Sequence, residues 1–157
     1  MTKKLIIKKY VSYSFVTVFF IFVLNKFYLR PFVLENDYPN IFQIVVLSLP
    51  NFSEAVMGTL LLTGILLELR LFLGDKLRSI KTTSLYLVAV MLASIYVISQ
   101  EFKLHNIGGN NVYDPYDLIA SGIGLALTYI TIIKLGFLEL IDTEMVQSQL
   151  DGSNNDS

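Results

Sequence analysis

The feature that most constrains this chain is a recurrence of apolar runs near twenty residues long, separated by short charged stretches. A helix rises about 1.5 Å per residue, so roughly 20 residues cover the ~30 Å of hydrocarbon in a bilayer. Four runs reach that length, at about 10–29, 51–73, 83–100 and 115–135. Lipid offers no partner to a backbone N–H or C=O, so each run must satisfy its own as a helix. At 54% hydrophobic and mean hydropathy +0.59 over 157 residues, the chain has more apolar side chain than a soluble domain of this length buries. The expected fold is an all-α membrane protein, a four-transmembrane-helix bundle over residues 1–138. An acidic, disordered tail is expected over 139–157.

The longest connection runs from Pro31 to Pro50. Its apolar portion, IFQIVVLSL, is too short to cross, which makes it an interfacial or re-entrant segment before the second span. Lys26 sits late in the first span, where its ammonium can snorkel, and Arg30-Pro31 closes that span. The basic amino terminus followed by an apolar run has the outline of a signal peptide. No small-residue cleavage site follows, so the run reads as a retained first span.

Orientation follows from the basic residues. Lys3, Lys4, Lys8 and Lys9 precede span one, Arg70, Lys76, Arg78 and Lys81 separate spans two and three, and Lys134 ends span four. Only Lys26, Arg30 and Lys103 fall on the other side. The positive-inside rule then puts both termini in the cytoplasm of a multi-pass protein of the cytoplasmic membrane. With no cysteine there is no disulfide or thiolate metal site, and a single histidine argues against a histidine zinc centre. No cofactor is expected. The basic residues are explained by topology and there is no phosphate-cradling loop, so nucleic acid is not an expected partner.

The polar residues concentrate where span four begins. Asp114-Pro115-Tyr116-Asp117 precedes the run LIASGIGLAL and has the form of a helix start: Asp114 as N-cap, Pro115 first, Asp117 third. Asp117, Ser121, Gly124, Thr128 and Thr131 recur at four and three residues, a small or polar face inside an apolar span. Ala120 with Gly124, and Gly122 with Ala126, form small-xxx-small pairs that let helices approach closely in lipid. In span two, Glu54, Leu61 and Glu68 are seven apart with Gly58 between. Asn51 or Ser53 would cap that helix, leaving Glu54 free to face inward. If spans two, three and four are neighbours, Glu54, Glu101, His105 and Asp117 meet at one mouth of the bundle. Such a group can relay protons, hold a divalent cation through oxygen, or bind a cationic or polyhydroxyl head group.

These residues carry a resemblance. The run from Glu101 to Gly124 resembles the carboxy-terminal half of VanZ-like membrane proteins, in which a glutamate, a polar loop and an aspartate pair lead into a helix patterned D-x-x-x-N-x-x-G. Asp114 and Asp117 match the pair and Gly124 the glycine. Ser121 stands where that pattern has asparagine, Leu104 or His105 replaces a glutamine, and the loop arginine is absent. LPNFSEAVMGTLL, from Leu49, is similar to an earlier motif of the family, with Asn51 and Glu54 in place of its aspartate and histidine. The resemblance covers about half of the chain. It implies a small multi-span protein of the cell envelope, in a family with some members linked to glycopeptide resistance, chiefly to teicoplanin.

Two functions follow as expectations. In one, an outward polar cluster of Glu54, Glu101, His105, Asp114, Asp117 and Ser121 binds a lipid-linked or cell-surface ligand. In the other, the chain is a non-catalytic accessory or structural subunit, docking on a membrane-protein partner or a second copy through Gly58, Ala120, Gly122, Gly124 and Ala126. An enzyme is the weaker reading, because no nucleophile is paired with a base and there is no metal motif.

Overall fold

The computed structural model describes residues 3–36, 38–73, 80–101 and 114–142. In chain order these form β1 (Lys3–Ile7), α1 (Lys9–Leu24), a π-helical turn (Asn25–Leu29), α2 (Arg30–Glu35), α3 (Asn40–Leu73), α4 (Thr82–Glu101), α5 (Pro115–Leu135) and β2 (Leu138–Asp142). Four helical stretches are long and apolar enough to cross a membrane: Lys9–Glu35, Asn40–Leu73, Thr82–Gln100 and Pro115–Leu135. The fold is an all-α membrane bundle of four spans.

Its centre is α3, which touches α1, α4 and α5. Buried positions on α3 recur at Ala55, Thr59, Thr63 and Leu67, one side of the helix. Small residues do the same on α4, where Ala89 and Ala93 lie buried between Leu85 and Val97. The three buried threonine hydroxyls are satisfied within their own helices. Thr59 donates to Ala55 O (2.8 Å), Thr63 to Thr59 O (2.7 Å) and Thr128 to Gly124 O (2.8 Å), each using the carbonyl one turn back. Between α3 and α5 the backbones come close. A Cβ on Gly124 would lie 2.8 Å from Phe52 O and 3.2 Å from the Ala55 Cβ, so only glycine fits.

The first two spans depart from the expected boundaries. Arg30-Pro31 does not close span one: the helix passes through Pro31 to Glu35. A proline ring clashes with the carbonyl four residues back, and the π turn widens the helix where that clash would fall. In that turn the Arg30 N–H reaches Asn25 O, five residues earlier. Nor do residues 40–50 form a separate interfacial or re-entrant piece. They are the first turns of α3, which continues through Pro50. Ser53 and Asn51 accordingly sit inside the helix rather than capping it, and Ser53 donates to Leu49 O at 2.9 Å.

Pro50 has no N–H, so the Val46 carbonyl loses its helical donor. Asn25, wholly buried at the start of the π turn, supplies one: its Nδ2 donates to Val46 O at 3.0 Å. The irregularities of the two neighbouring helices therefore lie side by side and are joined through one amide. Beyond this level the two helices continue as a hairpin whose tip carries a run of tilted aromatic contacts, Phe32 to Tyr38 to Phe42.

At the opposite end the first and last described segments meet. β1 and β2 pair antiparallel, Lys3 opposite Asp142 through Ile7 opposite Leu138. Residues 139–142 thus belong to a strand and not to a disordered tail; residues 143–157 lie outside the described residues. The exit from α5 is closed by several bonds. Gly136 (φ 71°) turns the chain, Gly136 N–H donates to Ile132 O (2.9 Å), and the Lys8 ammonium donates to Leu135 O. Tyr10 OH donates to Gly136 O (2.7 Å), Lys8 N–H to Phe137 O (3.0 Å), and Phe137 N–H to Tyr86 OH (3.2 Å). Phe137 is buried against Gly64, which leaves room for its ring. This strand end fixes α1, α4 and α5 relative to one another.

Candidate functional site

The far end of the bundle, away from the strands, holds the polar residues that packing does not fully explain. α5 starts there as its sequence dictates: Asp114 has extended backbone angles, and its Oδ1 accepts the Tyr116 N–H at 2.9 Å. The Asp117 N–H donates to Asp114 O (3.2 Å). Asp114 therefore does the capping. Asp117 occupies the first turn, where the helix dipole favours a carboxylate, yet its Oδ1 is buried with no hydrogen-bond partner among the described residues.

One turn further, Ser121 is buried and its Oγ approaches Asn51 O on α3 at 3.4 Å. Gly124, Thr128 and Ile132 continue that buried face. Thr131 leaves it, being exposed and bonded to Leu127 O. Of the small-residue pairs, Ala120 is half-buried beside Gly124. Gly122 and Ala126 are exposed, and among the described residues no atom lies within 4 Å of a Cβ placed on Gly122. A Cβ on Gly58 likewise has nothing within 4 Å.

The expected convergence is only partly met. Asp117 and Ser121 face α3, but Glu54 does not face them. Phe52 and Ala55 are the α3 residues against Gly124, and Glu54 is two positions past Phe52, about 200° around the helix. It lies half-buried, within the electrostatic reach of Lys26 in the π turn of the first span. Lys26 itself is stacked over the Phe22 ring, 5.6 Å from its centroid. Glu101 ends α4; its side chain and His105 lie outside the described residues. Among the described residues no three acidic or imidazole groups gather as a metal ion would require.

Of the buried polar residues that escaped the sequence reading, two keep an oxygen unpaired among the described residues. Besides Asp117 Oδ1, the buried oxygens without a partner among the described residues are Asn25 Oδ1 and Ser48 Oγ. Both flank Pro50 in space or in sequence. The signal was a proline inside an apolar run, which always leaves one carbonyl to be satisfied by something else. No protein-family model, no curated protein and no solved structure matches the chain.

Proposed function

We propose that the chain is a VanZ-like protein of the cell envelope, seated in the cytoplasmic membrane with both termini in the cytoplasm. On this reading the far end of the α3–α5 seam faces outward and binds a lipid-linked or cell-surface ligand through Asp117. The orientation is supported by the excess of lysine and arginine at the strand end. The observation that carries the ligand reading is the division of labour between the two aspartates. Asp114 caps α5, whereas Asp117 buries an oxygen that no described residue engages. Burying such an acceptor costs about 1–3 kcal/mol unless something bonds to it.

The test is a thermal-shift screen in mild detergent with lipid head groups, cell-wall precursors and divalent cations, on wild type and Asp117→Asn. A ligand that stabilises wild type and leaves the variant unmoved supports the reading. Equal responses from both proteins to every compound refute it. A second reading, an accessory subunit docked on another membrane protein, draws on Gly122 and Ala126. These form a close-approach pair on the surface of α5, with none of the described residues against Gly122.

A further inference from the structure

Asp117 shares its seam with a second unpartnered oxygen. Ser48 on α3 is 6% exposed and its Oγ makes no hydrogen bond among the described residues. The contacts of Gly124 fix how the two helices are phased, since its Cβ position lies against Phe52 and Ala55. Both helices run in the same direction, and a step of seven residues returns each to nearly the same face two turns away. Seven residues toward the far end, Gly124 gives way to Asp117 and Ala55 to Ser48. The rung between agrees, with Ser121 on Asn51 O. Ser48 and Asp117 thus occupy facing positions on one rung, each with a buried oxygen lacking a partner.

We propose that the Ser48–Asp117 rung binds a primary ammonium, the head-group nitrogen of an aminophospholipid, with both side-chain oxygens accepting its N–H groups. The proposal rests on the Asp117 reading above and names its ligand class. A carboxylate with one oxygen buried and unbonded is served better by a positive donor than by a neutral hydroxyl, since the donor also offsets its charge. A hard metal cation asks for about six oxygens, more than this rung supplies, whereas an ammonium has three donors to distribute. Depth agrees as well. The rung is in the first turn of α5, the end of a 21-residue helix whose length matches the thickness of the hydrocarbon, which puts it near head-group depth, and Asp117 is only part-buried as a residue.

The experiment uses the full chain in phosphatidylcholine nanodiscs, with or without phosphatidylethanolamine, and free ethanolamine as a separate arm. Choline keeps the charge and has no N–H, so the exchange isolates the donors. Phosphatidylethanolamine is expected to raise the melting midpoint of wild type by roughly 3–5 °C. Asp117→Asn is expected to abolish that rise and Ser48→Ala to reduce it by at least half. A rise with free ethanolamine as well means the site reads the ammonium alone; a rise with the lipid only makes the lipid the source. An undiminished rise in both variants overturns the proposal. So does a lipid-independent, strongly coupled loss of stability in the two variants, which would mean that Ser48 and Asp117 bond each other. A different compound that stabilises wild type and not Asp117→Asn removes the ammonium assignment while leaving the ligand reading standing. If no compound depends on Asp117, both fall.

Discussion

Glycine shows most clearly how two identical residues two positions apart acquire opposite roles. Gly124 and Gly122 sit in one helix, in the same run of small residues, and differ only in which side of α5 they occupy. At Gly124 an added methyl would meet the Phe52 carbonyl oxygen at 2.8 Å, and backbone cannot retreat cheaply. Gly124→Ala is therefore expected to destabilise the bundle by about 1–3 kcal/mol, as overpacking does. At Gly122 no atom of the described residues lies within reach, so Gly122→Ala gains helix propensity of up to about 1 kcal/mol. Unfolding of both variants in a fixed detergent checks this, and a Gly122→Ala protein as unstable as Gly124→Ala would contradict the placement of the seam. The same residues separate the functional readings. Gly122→Leu leaves the isolated chain folded, and if the chain is a docked subunit it releases the partner on co-purification.

At the scale of the element, Pro50 is the determining residue. A helix carrying a proline eleven residues in has to satisfy a stranded carbonyl, and here the donor comes from a neighbour whose own helix is widened at the same level. Asn25 and Pro50 should therefore be energetically coupled. Asn25→Ala alone leaves Val46 O unbonded in a buried setting, at a cost of about 1–3 kcal/mol. In a Pro50→Ala background, residue 50 has an N–H to give to Val46 O, so Asn25→Ala should cost less by about 1 kcal/mol or more. A double-mutant cycle of unfolding free energies measures the difference. Strict additivity would show that the Asn25 amide does not serve the carbonyl that Pro50 frees.

Across the whole molecule, the spans were legible because length and apolarity act residue by residue, and lipid admits few alternatives to a helix. The start of α5 was legible for a related reason, since Asp114 and Pro115 act within one turn. What could not be read were consequences of who neighbours whom: that residues 40–50 extend α3, that Glu54 faces away from Asp117, and that Asn25 serves Pro50. The pairing of β1 with β2 belongs to the same class, because it joins residues more than 130 positions apart and has no periodic signature over five residues. It also has the largest architectural consequence: an even number of crossings already puts both ends of the described chain at one end of the bundle, and the pairing ties them together there. The absence of native cysteine makes this directly measurable. Ile6 and Glu139 are opposite one another in the ribbon. Antiparallel partners have Cα atoms about 4.5–5.5 Å apart, within the range a disulfide bridges. Ile6→Cys with Glu139→Cys should cross-link within one chain under mild oxidation, running faster on a non-reducing gel, while neither single variant does so. Failure to cross-link, or cross-linking only between chains, would mean that the ribbon does not hold the ends together and that α1 is free to leave α3 at the strand end.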